Sequence, residues 1–437
     1  MRLLPDLLWT RERFERGPAV TIRDGIITRV ATLPTQEGGA TPDDVVRLVG
    51  RALLPGTVNA HGHTFQSLLR GLGNDLDFAG WRDRVLYPYS TRLDRDGIYL
   101  GAAFAFAEML LHGVTTCVDF FYLHDGGNEN AEAVIQAARD TGIRLVLARA
   151  MYDWEGAPQR YREDPRAAAR RTRDLIHKYA GDPLVTVQPA PHSPHGASPA
   201  MIRAGWEVAE TADTKFHIHV AEGRYEGERT LKEHGATPIR LLDKLGVLGP
   251  RMIGVHCVWL DDEELRLMAE QGAGLAYCPS SNMMLGDGIT RLTEMHDLGI
   301  RIGLGTDGGC TNNRLSVFEE MRMAALLQKV RHMDGTRLPA DEVFVMGTAA
   351  GARLLQVDAG AIETGLGADL VAVDLEHPSL HPPTDLLKNV VYSMSPQAIT
   401  DVWVHGHQVV RNQRLTMLDQ AGLMERVRAL TRDWKRP

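Results

Sequence analysis

The sequence predicts an α/β fold: a closed (β/α)8 TIM-type barrel carrying a small β-sandwich domain built from both chain termini. Three observations predict it. Between Arg51 and Gly308, eight short apolar runs alternate with stretches of helical spacing. Several of these runs close on His or Asp, at the strand ends where barrels of this kind carry their chemistry. Short alternating strands lie outside that stretch, too few at either end of the chain to make a stable sheet alone.

In chain order, Ala19–Val30 reads as a hairpin with Asp24-Gly25 at the turn. The expected barrel strands are Ala52–Asn59, Val114–Phe120, Ile143–Ala150, Leu184–Ala190, Phe216–Ala221, Met252–His256, Ala273–Cys278 and Ile300–Thr306. Between them, the helical patterns Gly101–His112, Asn130–Thr141 and Asp261–Gln271 each stop before a Gly, the usual residue just past a helix. Strand patterns return at Asp369–Val373, Asp401–Val404 and Gln408–Val410. The expected division is 51–355 for the barrel, with 1–50 and 356–437 pairing into the small β domain.

A chain of 437 residues with 44% apolar and 24% charged residues has a sizeable core. Its net charge of -8 is spread rather than blocked, which speaks against nucleic acid as a partner. The N-terminal run Leu3–Trp9 is short and broken by Pro5 and Asp6, and no uncharged run reaches the roughly 18 residues that cross a bilayer. The cysteines Cys117, Cys257, Cys278 and Cys310 are too few for a disulfide framework and read as free thiols. The expectation is a cytoplasmic protein with no membrane partner.

The strand-end residues share one chemistry. His61 and His63 stand at alternate positions, so both point to the same face. His219, His256 and Asp307 close the fifth, sixth and eighth runs. Three or four imidazoles with one carboxylate suit a single divalent ion, zinc first and iron second, with a coordination position left for water. His217, two residues before His219, faces the same way one layer deeper. The remaining histidines lie in helices, loops or the terminal strands, and Glu226 and Glu228 read as exposed loop carboxylates.

These residues and their neighbours resemble the amidohydrolase superfamily, in the chlorohydrolase and cytosine-deaminase-like branch that includes S-adenosylhomocysteine/methylthioadenosine, guanine and pterin deaminases. The likeness runs through Pro55–His63, Leu68-Leu69-Arg70-Gly71, Ala107-Glu108-Met109, Pro191-His192, His217–Glu222, Cys278–Asn282, Leu304–Gly308 and Phe318–Arg322. The resemblance implies that His61, His63, His219 and Asp307 hold one metal and that His256 orients its water. It implies that Glu222 protonates the ring nitrogen beside the attacked carbon, while Asp307 passes a proton to the leaving amine. Leu184–Ala190 carries no Lys, which argues against the two-metal branch of the superfamily. A homodimer is the family habit.

The resulting expectation is a metal-dependent aminohydrolase that deaminates an amino-substituted N-heterocycle by attack of metal-bound hydroxide. Candidate substrate contacts are Gln66, Arg70 and Trp81 in the long loop after the first strand, with Glu108, His192 and Asn282. Tyr277, where many nucleoside deaminases of the family carry His, and the unusual Cys310 speak against a nucleoside. The alternatives are displacement of halide, alkylamine or thiol from an s-triazine-like ring, formimino hydrolysis, and a non-catalytic scaffold.

Overall fold

The computed structural model describes residues 1–32 and 45–435. Eight parallel strands form the barrel: β1 (Thr57–Asn59), β2 (Val114–Phe121), β3 (Arg144–Met151), β4 (Val185–Pro191), β5 (Phe216–Val220), β6 (Met252–His256), β7 (Gly274–Tyr277) and β8 (Arg301–Leu304). They pair in order as two four-stranded halves, β1 to β4 and β5 to β8. Backbone hydrogen bonds bridge the seams, among them Ala60 N–H to Leu304 O at 2.8 Å and His219 N–H to His192 O at 3.0 Å. Every residue of β2 and β3 is buried, as expected for strands covered on both faces.

The helices end where their sequences say. Asp94 caps Arg95–Leu111 by accepting the Gly97 N–H, and Asp261 with Glu264 forms a capping box on Asp262–Gln271. Glu129–Thr141 stops at Gly142, whose φ of 80° is left-handed.

The first expected strand is in fact two. Ala52–Pro55 belongs to the terminal strand Val45–Pro55, and the barrel starts only at Thr57. Gly56 makes the break, because a Cβ there would lie 2.1 Å from Thr115 Oγ1. Periodicity alone cannot see such a break inside an apolar run.

The terminal strands form a nine-stranded sheet that runs Arg414–Leu415, His407–Arg411, Ile399–Val404, Leu370–Asp374, Val45–Pro55, Arg2–Thr10, Pro18–Arg23 and Ile26–Thr32, with Arg13–Glu15 paired to Arg2–Thr10. The expected hairpin turns at Asp24-Gly25 with Arg23 opposite Ile26, and both turn residues have positive φ. Instead of two separate sheets, one sheet folds back. The Ile27 N–H donates to Leu366 O at 2.9 Å, and the Gly365 N–H donates to Ile27 O at 2.8 Å. Leu3, Leu8, Val20, Leu53, Leu370 and Trp403 fill its apolar centre. The helix Gln420–Thr431, expected within the terminal domain, packs instead on the barrel helix Arg95–Leu111.

Candidate metal centre and substrate pocket

Four strand ends meet at one point. His61 and His63 follow β1, His219 lies near the end of β5, His256 ends β6, and Asp307 follows β8. A two-residue parallel pairing of Gly62–His63 with Asp307–Gly308 ties the first and last of these ends together. The Nε2 atoms of His61 and His219 are 3.3 Å apart, and Asp307 Oδ1 is 3.5 Å from Nε2 of both His61 and His63. Nitrogen and oxygen donors arranged tetrahedrally at about 2.1 Å from an ion stand roughly 3.4 Å from one another, so these separations fit one divalent ion.

The outer nitrogens fix which way the lone pairs face. His63 Nδ1–H donates to Phe120 O at 2.6 Å and His219 Nδ1–H to His192 O at 2.8 Å, which leaves both Nε2 atoms bare and turned inward. Burial pushes His61, His63 and His219 below the ordinary histidine range, His63 to about 3, so all three are neutral, the form that ligates. Burial by itself pushes the Asp307 carboxyl upward. The polar contacts of His61, His256 and His63 outweigh it and hold Asp307 well below the usual carboxylate range. Ser281 Oγ–H donates to Asp307 Oδ2 at 2.6 Å and fixes its orientation.

Glu222 and His256 complete the group. His256 Nδ1 bonds Asn282 Oδ1 at 2.8 Å, and its Nε2 lies 3.5 Å from Glu222 Oε1 and 3.9 Å from Asp307 Oδ2. Burial, then the charges of Asp307 and Glu226, raise Glu222 well above the usual carboxylate range, which favours its protonated form. Four left-handed residues cluster here: Ala221 at φ 53°, His256 at 72°, Cys257 at 48° and Asp307 at 60°. Backbone strain of this kind concentrates at functional sites.

A pocket opens above the cluster. His63, His219, Glu222, His256 and Asp307 share its lining with Phe78, Trp81, Tyr122, Tyr152, Trp154 and Tyr161. Trp81 and His192, both expected contacts, line it. The other four expected contacts do not. Gln66 is buried with both ends engaged, donating to Tyr122 OH at 2.6 Å and accepting from Cys310 Sγ at 3.3 Å. Arg70 and Glu108 pair with each other at 2.5 Å away from the lining, and Asn282 orients His256.

Other expectations are refined here. Glu226 is fully buried, not an exposed loop carboxylate, because the helix Arg224–His234 turns it inward beneath Glu222, while Glu228 is exposed. Tyr277 is enclosed within β7 and does not line the pocket. His217 bonds Gln188 Oε1 at 2.7 Å, one layer below the ligands. His195, which follows His192 in the same loop, also lines the pocket, and of the aromatic walls only Trp81 was expected. Tyr122 and Tyr152 directly follow β2 and β3, so the strand-end rule that found the histidines reaches them too.

Comparison with known proteins places this geometry. Residues 52–409 match the family described as the amidohydrolase family. The chain is 35% identical to the 5'-deoxyadenosine deaminase of Methanothermobacter thermautotrophicus, over 94% of this chain and 93% of that protein. It is 33% identical to a 5-methylthioadenosine/S-adenosylhomocysteine deaminase of Syntrophobacter fumaroxidans, over 97% and 94%. Among solved structures, an adenosine deaminase from Xanthomonas campestris with bound zinc superposes with a TM-score of 0.91 at 28% identity, covering 99% of this chain and 97% of that one. The atrazine chlorohydrolase of Arthrobacter aurescens shares the fold, with a TM-score of 0.90 at 24% identity over 98% of each chain.

Proposed function

The chain belongs to the amidohydrolase family and is a hydrolase of carbon–nitrogen bonds, and from that premise we propose that it deaminates 6-aminopurine nucleosides. Water replaces the exocyclic amine, giving the 6-oxopurine nucleoside and ammonia. One observation carries the reading: Glu222, His256 and Asp307 stand together beside the histidine cluster, on the floor of an aromatic-walled pocket. Aromatic walls suit a flat heterocycle, which stacks on them while a few polar groups fix its orientation.

His61, His63, His219 and Asp307 would hold the ion. When bound, it supplies Lewis-acid chemistry, lowering the pKa of water from nearly 16 toward about 7 so that a nucleophile exists at neutral pH. Glu222 delivers its proton to the ring nitrogen beside the attacked carbon, which makes that carbon electrophilic. Asp307 accepts a proton from the attacking water and returns it to the departing amine. His256, whose Nδ1–H is held by Asn282 Oδ1, presents Nε2 as the acceptor that orients the attacking water. Trp81 and His192 bound the space in which the ring sits.

Zinc is the proposed resident ion, and a cytoplasmic homodimer the proposed state; four buried free cysteines accord with a reducing compartment. No helix among the described residues is long and apolar enough to cross a membrane. The test is ammonia release from adenosine, 5'-deoxyadenosine, 5-methylthioadenosine and S-adenosylhomocysteine by the zinc-loaded protein. Turnover of at least one supports the reading. Turnover of a chlorotriazine or a formimino compound, with all four nucleosides untouched, overturns it.

A further inference from the structure

Beneath Glu222 lies a second carboxylate that these steps do not use. Glu226 is fully buried in the first turn of Arg224–His234, and its Oε2 accepts the backbone N–H of Glu222 at 3.0 Å. Its Oε1 has no hydrogen-bond partner among the described residues. It lies 3.7 Å from Nδ1 of His195, which has none either. His195 comes from the loop after β4, is 8% exposed, and lines the same pocket as Glu222. Its ring meets that of Tyr225 edge-on at 5.6 Å, and the Tyr225 hydroxyl is also unpartnered.

Buried polar atoms are almost always paired, so unpaired ones gathered on one pocket wall mark a network that a ligand completes. A carboxylate facing Nδ1 of an imidazole holds the proton there, which leaves Nε2 as an acceptor. Contacts of this kind are often long in the ligand-free enzyme and tighten when substrate binds.

We infer that His195 and Glu226 form a substrate-recognition dyad: Glu226 positions Glu222 through its backbone N–H and His195 through Nδ1, and His195 Nε2 accepts a hydrogen bond from a hydroxyl of the substrate. For the identity of that hydroxyl the inference rests on the nucleoside reading, where the sugar supplies the donors; the dyad geometry does not. Glu226 is a positioning residue, and His195 is the group that touches substrate.

The test compares wild type, H195F, H195Q and E226Q, each checked for zinc content and melting temperature, on adenosine and its 2'-, 3'- and 5'-deoxy analogues. In wild type, removing the bonded hydroxyl should lower kcat/KM about tenfold or more. H195F should raise KM for adenosine about tenfold and no longer distinguish that analogue, while H195Q, whose amide oxygen still accepts, should recover part of the loss. E226Q should raise KM and also lower kcat, because Glu222 loses its anchor. Wild-type KM and unchanged discrimination in H195F overturn the dyad.

Nitrogen NMR of the histidine rings gives a reading that needs no turnover. It should show His195 protonated at Nδ1 in wild type and shifted toward Nε2 in E226Q; the same tautomer in both overturns the dyad. Should wild type turn over no nucleoside, the function proposed above falls, and the tautomer alone then decides the dyad.

Discussion

The surroundings of Glu222, its burial and the negative charges of Asp307 and Glu226, favour its protonated form. Replacing it with Gln keeps the shape and removes the transferable proton, so turnover should fall on the order of 100- to 10,000-fold while the ion stays bound. Parallel measurement of kcat and zinc content checks this, and near-normal kcat at full occupancy would reject the role. Glu320 offers a cleaner titration. Burial raises it to about 7, against the hydrogen bonds it accepts from Ser280 and Asn312. The folded protein therefore holds this proton more tightly than the unfolded chain does. Its stabilising contribution is full below the unfolded value near 4.5 and is lost as pH rises to about 7, at up to about 1.4 kcal/mol per pH unit. Glu320→Gln should flatten that part of the stability curve, read by urea unfolding from pH 4.5 to 7.5; equal slopes would contradict it. At this scale the clustering of the imidazoles was legible because residue type and strand-end position coincide. Glu226 was not, since sequence cannot tell an inward carboxylate on a first helical turn from an outward one. Gln66, Arg70 and Glu108 looked like substrate contacts because a polar side chain near a site reads alike whether its partner is ligand or protein.

Among the elements, helix ends and the Asp24-Gly25 hairpin were readable because caps and turns depend on a few local residues. The first barrel strand was misjudged because one apolar run serves two sheets, and it divides where the Gly56 N–H bonds Asp369 O and the Thr57 N–H bonds Gly113 O. That junction is tight enough to test. Gly56→Ala must move β2 or the terminal strand and should cost about 1–3 kcal/mol by overpacking, seen as a lower melting temperature. An unchanged melting temperature would mean that the junction yields freely. The site itself spans both barrel seams, with His61 and Asp307 at one and His192 and His219 at the other. The two half-barrels thus meet where the ligands meet.

The whole molecule is held together by more than its barrel. Arg144 of β3 reaches Asp369 beside the terminal sheet at 2.9 and 3.0 Å, and the Asp369 side chain is fully buried. Removing one member leaves a buried charge unpaired, so Asp369→Ala should destabilise by about 3–5 kcal/mol, measured by denaturant unfolding, and more than the Arg144→Met/Asp369→Leu double variant. A single variant no worse than the double would refute this. Fold class and two-part architecture were legible from alternation and from matching strands at the two termini. The fold-back of the terminal sheet and the docking of Gln420–Thr431 on the barrel were not, since both depend on contacts between segments hundreds of residues apart. The central claim is that side chains scattered from His61 to Asp307 enclose one catalytic ion. An anomalous-scattering map of zinc-loaded crystals tests it most directly: one peak per chain is expected, about 2.0–2.2 Å from Nε2 of His61, His63 and His219 and from an Asp307 carboxylate oxygen. No peak among those four groups, with zinc bound elsewhere, would contradict it.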